Sequence, residues 1–153
     1  MFKANQKLGI HGWVEIIHFR DGKEIERRNF LNLITNVGMA SVAALMLADV
    51  AETAFDFIAI GTGSTAANIT DTTLVTETHR QAGVGTRITT TVTDDTAQLQ
   101  TTFNFGGTFA LREVGMLSDV SFGALLARQV YAAINVESGD SLQITWKVQV
   151  SAV

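Results

Sequence analysis

The three histidines, His11, His18 and His79, are the side chains best suited to bind a metal ion or to transfer protons near neutral pH. His11 and His18 lie seven residues apart in one predicted strand, so they point to opposite faces, which is poor geometry for a shared metal. His79 follows Glu77 by two residues, which would place two ligands on one strand face. A metal site normally takes three or four ligands, so this spacing predicts no metal centre.

The candidate nucleophiles and carboxylates also show no arrangement that predicts catalysis. No serine lies in a G-x-S-x-G turn, the usual setting of a nucleophilic serine. The adjacent Asp94 and Asp95 are better explained by a turn between two strands than by acid–base work, and Asp71 in NITDTT lacks the D-x-D spacing of a calcium loop. We therefore predict a protein that is not an enzyme and that binds no cofactor.

A glycine-rich segment, Gly61-Thr62-Gly63-Ser64-Thr65, follows a short apolar strand, which is the position of many phosphate-binding loops. The segment lacks both the Gly-Lys-Ser/Thr ending and the G-x-G-x-x-G spacing of such loops. The residues after it, Ala66-Ala67-Asn68, do not open a strong helix. We therefore interpret the segment as a flexible connection rather than as a phosphate site.

Two charged residues, Arg112 and Glu113, lie inside an otherwise apolar predicted strand. One interpretation is that the two side chains pair with each other or are exposed at a bulge. The other is that they form a salt bridge between subunits. Both residues are therefore candidates for contact with a partner.

All these side chains must be positioned by β-structure, which the sequence pattern favours along most of the chain. The clearest strand is SLQITWKVQV, residues 141–150, in which apolar and polar side chains alternate and Trp146 falls on the buried face. Further strands and hairpins are predicted at residues 10–19, 24–30, 55–60, 74–79, 87–105, 109–117 and 125–136. In the segment 109–117, the inward parity switches, which predicts a bulge near Glu113 to Gly115.

One helix is predicted, at about residues 36–49, with Thr35 or Asn36 as its N-cap. Gly38 lowers the helix propensity by about 1 kcal/mol relative to alanine. One helix among many strands predicts a mainly β fold: an antiparallel β-sandwich or jelly-roll-like barrel of about 8–9 strands. We expect residues 1–9 to form an N-terminal arm and residues 10–153 to form a single domain.

Composition limits the class of partner. With 153 residues, no cysteine and a net charge of −4, the chain makes a poor nucleic-acid binder, and no apolar run approaches a membrane span. Six basic residues lie near the N-terminus, mixed with acidic ones, and we interpret residues 10–30 as a mixed-charge hairpin with an edge strand at residues 24–30. These candidate partner-binding residues are Lys3, Lys7, Arg20, Lys23, Arg27 and Arg28.

Several blocks of the sequence together resemble a widespread group of small virion proteins of tailed bacteriophages, variously labelled head decoration, cement, tail or fibre proteins. The resemblance covers nearly the whole chain and keeps the order of its blocks. The blocks are GWVEIIHFRDGKEIERRNFLNLITNVGMASVAALM, FIAIGTGSTAANITDTTLVTE, REVGMLS and ALLARQVYAAINVESGDSLQITWKV. These motifs are structural rather than catalytic, and no functional residue is carried over from the family.

The resemblance implies a virion structural protein made in the host cytoplasm. The first expectation is a capsid decoration or cement protein on the capsid surface, which binds the major capsid protein as a homotrimer largely through residues 1–35. A tail, baseplate or fibre-adaptor protein that binds other tail proteins is an alternative. A carbohydrate-binding module for host attachment is another, with Trp13 as its aromatic platform.

Overall fold

The computed structural model describes residues 7–47 and 51–153 of the chain. Alternating side chains form strands, and the only long uncharged segment with a good N-cap forms the helix. The elements in chain order are β1 (Leu8–Arg20), β2 (Lys23–Leu31), β3 (Leu33–Ile34), α1 (Asn36–Leu45), β4 (Phe57–Gly61), β5 (Glu77–Ala82), β6 (Val84–Ile88), β7 (Thr96–Asn104), β8 (Phe109–Leu117), β9 (Leu125–Val136) and β10 (Ser141–Ala152).

The strands form two five-stranded antiparallel sheets. The first sheet has the order β2-β1-β10-β7-β6 and the second the order β3-β9-β8-β4-β5. The predicted fold class, a mainly β sandwich with one helix, is thus confirmed. Strand β10, the clearest strand in the sequence, lies at the centre of the first sheet, and the charged strand β2 lies at its edge as predicted.

The chain passes between the sheets at both edges. Strand β2 becomes β3 through the single residue Asn32, and β5 becomes β6 through the single residue Gly83. A side chain at Gly83 would collide with Leu99, so glycine lets the chain run close to the core where it changes sheet. The two sheets are therefore joined at each side by continuous chain.

The main core lies between the two sheets. Trp146 pairs in register with Val14, and both side chains are buried in this core. From the second sheet, Ile58, Val114 and Leu126 contribute to the same cluster. The buried Trp146 confirms the inward parity that was predicted for residues 141–150.

A second, smaller cluster lies on the opposite face of the second sheet. Leu74, from the loop at residues 62–76, packs there with Leu117 and Leu125, and Val37 of α1 packs against them. The second sheet is therefore covered on both faces. Charged residues on its outward parity are consequently buried rather than solvated.

Helix α1 begins where predicted and packs closely on β9. The Thr35 hydroxyl accepts a hydrogen bond from the N–H of Gly38 at 2.9 Å, as an N-cap does. A Cβ on Gly38 would lie 2.7 Å from the Cα of Leu126, so glycine permits the close contact despite its low helix propensity. The helix ends at Leu45, whereas the prediction extended to residue 49; residues 48–50 lie outside the described part.

Two strands have bounds that differ from the prediction, and hydrogen bonds to a side-chain carboxylate explain both differences. The strand predicted at residues 74–79 starts only at Glu77, because the N–H groups of Val75 and Thr76 donate to the Glu113 carboxylate instead. Strand β6 ends at Ile88, because the Asp95 carboxylate accepts hydrogen bonds from the N–H groups of the turn that follows. These donors are Thr90, Thr91 and Val92.

Replacing Gly38 by alanine should destabilise the protein, although helix propensity alone predicts a gain of about 1 kcal/mol. The added Cβ would meet the backbone of Leu126, so we expect a net loss of roughly 1–3 kcal/mol. Urea unfolding followed by tryptophan fluorescence measures the change. The control is Ala40→Gly on the exposed side of α1, which should lose only about 1 kcal/mol. A stabilised Gly38→Ala variant would contradict the close contact.

Candidate functional site

The most elaborate polar arrangement in the described chain is centred on Glu113 and Arg128, which are both wholly buried. They lie on the adjacent strands β8 and β9, on the outward face of the second sheet, beneath the loop at residues 62–76. Arg128 donates from Nε and Nη2 to Oε2 of Glu113, at 3.0 and 2.8 Å. The charge of each side chain is thus neutralised by the other.

Glu113 also accepts three backbone hydrogen bonds from the loop. The donors are the N–H groups of Gly63 at 3.1 Å, Val75 at 2.9 Å and Thr76 at 2.6 Å. A side chain at Gly63 would collide with the Glu113 carboxylate. The glycine-rich loop therefore does surround an anion, but the anion is a carboxylate of the same chain.

Arg128 fixes the remaining part of the loop. Its Nη1 donates to the Asp71 carboxylate at 2.8 Å, and its Nη2 donates to the Thr65 carbonyl at 2.9 Å. Asp71, considered above for calcium, is therefore already paired with a cation. The network holds the loop at residues 62–76 against the sheet. Glu113 and Arg128 are wholly buried in it, and the partly exposed Asp71 carboxylate is paired with Arg128.

The structure corrects what was expected of Glu113, whereas Arg112 does lie at a bulge and its contact with a partner stays a prediction. Glu113 pairs with Arg128 rather than with Arg112, and its burial keeps it out of contact with any partner protein. The register shift lies between Leu111 and Glu113, so the bulge is at Arg112, just before the predicted position. Arg112 is half-buried there.

A second network joins β1 to the turn between β9 and β10. Asp140 is buried and accepts from Arg20 at 2.9 and 2.8 Å, from a ring nitrogen of His18 at 2.8 Å and from the N–H of Glu137 at 2.9 Å. The Arg20 guanidinium, with the Glu137 N–H and His18, holds the pKa of Asp140 well below its usual range, although burial opposes this shift. The network connects the end of β1 to the turn between β9 and β10.

The other arginines of the predicted partner-binding set are also engaged within the chain. Arg27 donates to Glu24 and Glu15, both on the same exposed face. Arg28 donates to Glu26 at 2.6 Å and to the Ala132 carbonyl of β9. The positive charge of this hairpin is therefore largely compensated before any partner binds.

Of the three lysines in that set, Lys7 and Lys23 are exposed, and Lys3 lies outside the described residues. Lys7 exchanges backbone hydrogen bonds with Val153, and the next two residues lie in β1. Residues 7–9 of the predicted arm are therefore tied to the first sheet, and residues 1–6 lie outside the described part.

The residues considered for metal binding serve other contacts. The ring of His79 packs edge-on against Phe105 and Phe109, with ring centroids 5.4 and 4.9 Å apart, while Glu77 pairs with Arg80. Trp13, considered for carbohydrate binding, is half-buried on the outer face of the first sheet.

Exposed apolar side chains concentrate at one end of the sandwich. At this end, β1 begins, β10 ends, α1 ends and β8 turns into β9. We call it the apolar end. Its exposed large apolar residues are Leu8, Leu45, Met46, Leu47, Val92, Val120, Phe122, Val150 and Val153. A cavity of about 650 Å³ opens at this end, and two of these residues, Leu45 and Val150, line it. The rest of its wall includes the apolar residues Ile10, Phe55, Leu99, Met116, Leu126 and Val148 and the charged residues Asp56, Arg87, Asp94 and Asp95.

Sequence reasoning identified neither the partner of Glu113 nor the apolar end. Arg128 is the single charge in the apolar run LLARQVY, whereas Glu113 stands beside Arg112 in FALREVGML. An unmatched arginine in one apolar strand is a signal that it needs a carboxylate from a neighbouring strand. The apolar end has no local signal, because its nine exposed residues come from five separate parts of the chain.

Replacing Glu113 by alanine should destabilise the protein by about 3–5 kcal/mol, because the buried Arg128 then keeps only one carboxylate partner, the partly exposed Asp71. Hydrogen exchange should also become faster at the amides of Val75 and Thr76, which lose their acceptor. Arg112→Ala is the matched control on the same strand and should change the free energy of unfolding little. Unaltered exchange at both amides would contradict the role assigned to the carboxylate.

A double variant tests whether the charges act as a pair. Glu113→Leu combined with Arg128→Met removes both charges, so the loss of stability should be smaller than the sum of the two single losses. Strictly additive losses, measured by denaturant unfolding, would show that the two side chains act independently.

Asp140 should make the protein sensitive to acid. Its carboxyl has a lowered pKa in the folded state, so the stability that it contributes is present above its unfolded pKa of about 3.9 and is lost as the pH falls below that value. The Asp140→Asn variant should therefore have a lower melting temperature than the natural chain at pH 7. At pH 3 the difference between the two melting temperatures should be smaller. Asp21→Asn, in the exposed β1–β2 turn, is the control. An equal difference at both pH values would exclude the carboxylate as the source.

Comparison with models of known protein families, with curated proteins and with solved structures gives no match to this chain. Among residues 7–47 and 51–153, no three His, Cys, Asp or Glu side chains are grouped so as to hold a metal ion. Within the same ranges, no helix has the length and apolar character needed to cross a membrane. The function must therefore be argued from the residues of this chain.

Proposed function

We propose that this chain is a structural protein of a tailed-bacteriophage virion, and that it decorates or cements the head shell as an oligomer without catalysing a reaction. The observation that carries the proposal is the apolar end, where nine large apolar side chains are exposed and a cavity opens between the two sheets. Clusters of this kind usually mark surfaces that are covered when a protein assembles. The resemblance to virion proteins supports a phage particle as the assembly to which the chain belongs.

The blocks that carry the resemblance contain the contacts that hold the fold. LNLITNVGM contains the Thr35 cap and the close contact at Gly38, REVGMLS contains Glu113, and SGDSLQITWKV contains Asp140 and Trp146. In the described residues, the function of each of these side chains is to position backbone or to fill the core. The structural roles of the side chains in these blocks support a structural function for the protein.

Contact with the shell would involve the N-terminal arm at residues 1–6. Because Arg20, Arg27 and Arg28 are compensated within the chain, the hairpin supplies little net positive charge for a partner. Lys7, the residue that follows this arm in the sequence, pairs with Val153 at the apolar end. Many copies on a repeating shell would bind firmly even when each single contact is weak.

Mass spectrometry of purified phage particles that encode this chain tests the proposal. We expect the chain in the particles at hundreds of copies, which would indicate the head shell. A number in the low tens, as a multiple of three or six, would instead indicate the alternative of a tail or baseplate protein. Absence of the chain from intact particles would overturn the virion role altogether.

Deletion of residues 1–6 tests the arm separately. The deletion stops before Lys7, so the pairing of β1 with β10 is kept and folding should not change. We expect loss of binding to particles that lack the protein, measured by co-sedimentation. The control is Asp21→Asn, in the exposed β1–β2 turn, which should bind normally.

A further inference from the structure

The groups that surround the Glu113 carboxylate have the hydrogen-bonding pattern of a carboxylate receptor. Oε1 accepts from the N–H groups of Gly63 and Thr76, at 3.1 and 2.6 Å. Oε2 accepts from the N–H of Val75 at 2.9 Å and from Nε and Nη2 of Arg128 at 3.0 and 2.8 Å. Five donors thus meet two oxygens, which are the two acceptors that an ionised carboxylate offers. We call Arg128 and the three N–H groups the carboxylate cradle.

Every donor of the cradle comes from a part of the chain other than the strand that carries the anion. Glu113 lies on β8, Arg128 lies on β9, and the three N–H groups belong to the loop at residues 62–76. Glu113 therefore contributes the anion and none of the groups that bind it. It has the position of a ligand that is attached to the chain by its own side chain.

Contacts that do not involve the carboxylate hold the cradle in shape. Arg128 donates from Nη2 to the Thr65 carbonyl at 2.9 Å and from Nη1 to the Asp71 carboxylate at 2.8 Å. The N–H of Thr62 donates to the Thr76 carbonyl at 2.9 Å, which joins the two ends of the loop. The guanidinium and the loop are thus fixed to each other independently of the anion between them.

The middle of the loop is also fastened to the rest of the fold. The carbonyl of Ile69 accepts a hydrogen bond from the N–H of Asn36 at 2.8 Å, at the start of α1. Leu74 is buried against Leu117 and Leu125. Donors that are held in place before binding pay little conformational entropy when they bind an ion. We therefore expect the cradle to keep its form when the carboxylate is taken away.

We propose that the cradle is a binding site for a small carboxylate ion, and that the side chain of Glu113 occupies this site in the natural chain as an internal ligand. The glycine-rich segment that was considered for phosphate then belongs to an anion site of a different selectivity. The site is independent of the proposed virion role.

Charge and shape select a small monoanion. Arg128 supplies one positive charge, which it already shares with Asp71. A second negative charge on the ligand, as in hydrogen phosphate, would be buried without a counter-charge. The additional oxygens of a tetrahedral ion would also be buried without donors. Because Glu113 is wholly buried, the space that its side chain fills admits only an ion of about the size of formate.

The variant Glu113→Ala in the full chain tests the site with formate as the probe. Alanine ends at Cβ, so formate can take the place of the missing carboxylate. An ion that binds only the folded chain, at ten times its dissociation constant, raises the ratio of folded to unfolded protein about 11-fold. We therefore expect the urea midpoint of the variant to rise with sodium formate, relative to sodium chloride at the same concentration. The midpoint of the natural chain, whose site is filled, should be the same in both salts.

Two controls separate binding in the cradle from a general salt effect. The double variant Glu113→Ala with Arg128→Met lacks the guanidinium, so formate should not raise its midpoint above that in chloride. Sodium benzoate, whose ring is too large for the space left by the side chain, should not raise the midpoint of Glu113→Ala. Where a variant is unfolded in buffer, trimethylamine N-oxide restores folding and the titration is made in its presence.

Hydrogen exchange locates the bound ion. In Glu113→Ala, formate should slow exchange at the amides of Val75 and Thr76 towards the natural rates, because it restores their acceptor. The amides of Thr91 and Val92, which donate to Asp95, are the control and should not respond. A midpoint of the folded Glu113→Ala variant that is equal in formate and chloride would overturn the proposal. Unchanged exchange at Val75 and Thr76 in saturating formate would overturn it as well.

Discussion

The burial of the Glu113 carboxylate is the constraint on which most of the second sheet depends. An ionised carboxylate is stable away from water only when its charge and its lone pairs are satisfied. Arg128 supplies the charge, and three N–H groups of the loop at residues 62–76 supply the hydrogen bonds. The loop must therefore lie over the sheet, and this brings Leu74 onto Leu117 and Leu125. One acidic side chain thus determines how an entire face of the sandwich is covered.

The two ends of the sandwich differ in their exposed surface. The end where β1 turns into β2 and β9 into β10 has its ion pairs closed within the chain around Asp140. The apolar end has exposed Phe122 and a cavity whose wall contains Arg87, Asp94 and Asp95 beside its apolar residues. Ion pairs that are already satisfied give a partner little to bind, whereas exposed apolar surface favours association.

Alternation of side chains was sufficient to predict the strands of the β-sandwich, because strand burial has a period of two that is visible in the sequence. The single helix was predicted from its N-cap, and the central place of β10 in its sheet is known only from the structure. The cap at Thr35 and the bulge in β8 were also close to their predicted places. Contacts between distant residues were not predictable in this way. The pair of Glu113 and Arg128 depends on which strands are neighbours, and the loop was misassigned in part because its N–H groups bond to a side chain rather than to a strand.

The passage of the chain from one sheet to the other at Asn32 and at Gly83 has a consequence for crowding. Most isolated sheets end in rows of free amide and carbonyl groups that can recruit strands from other molecules. Here the strand that runs into Asn32 is the charged strand β2, which forms one border of the first sheet, and its Arg28 occupies the Ala132 carbonyl of β9. Copies held side by side at very high local density would therefore meet a charged strand at this border, which discourages the addition of a strand from a neighbour.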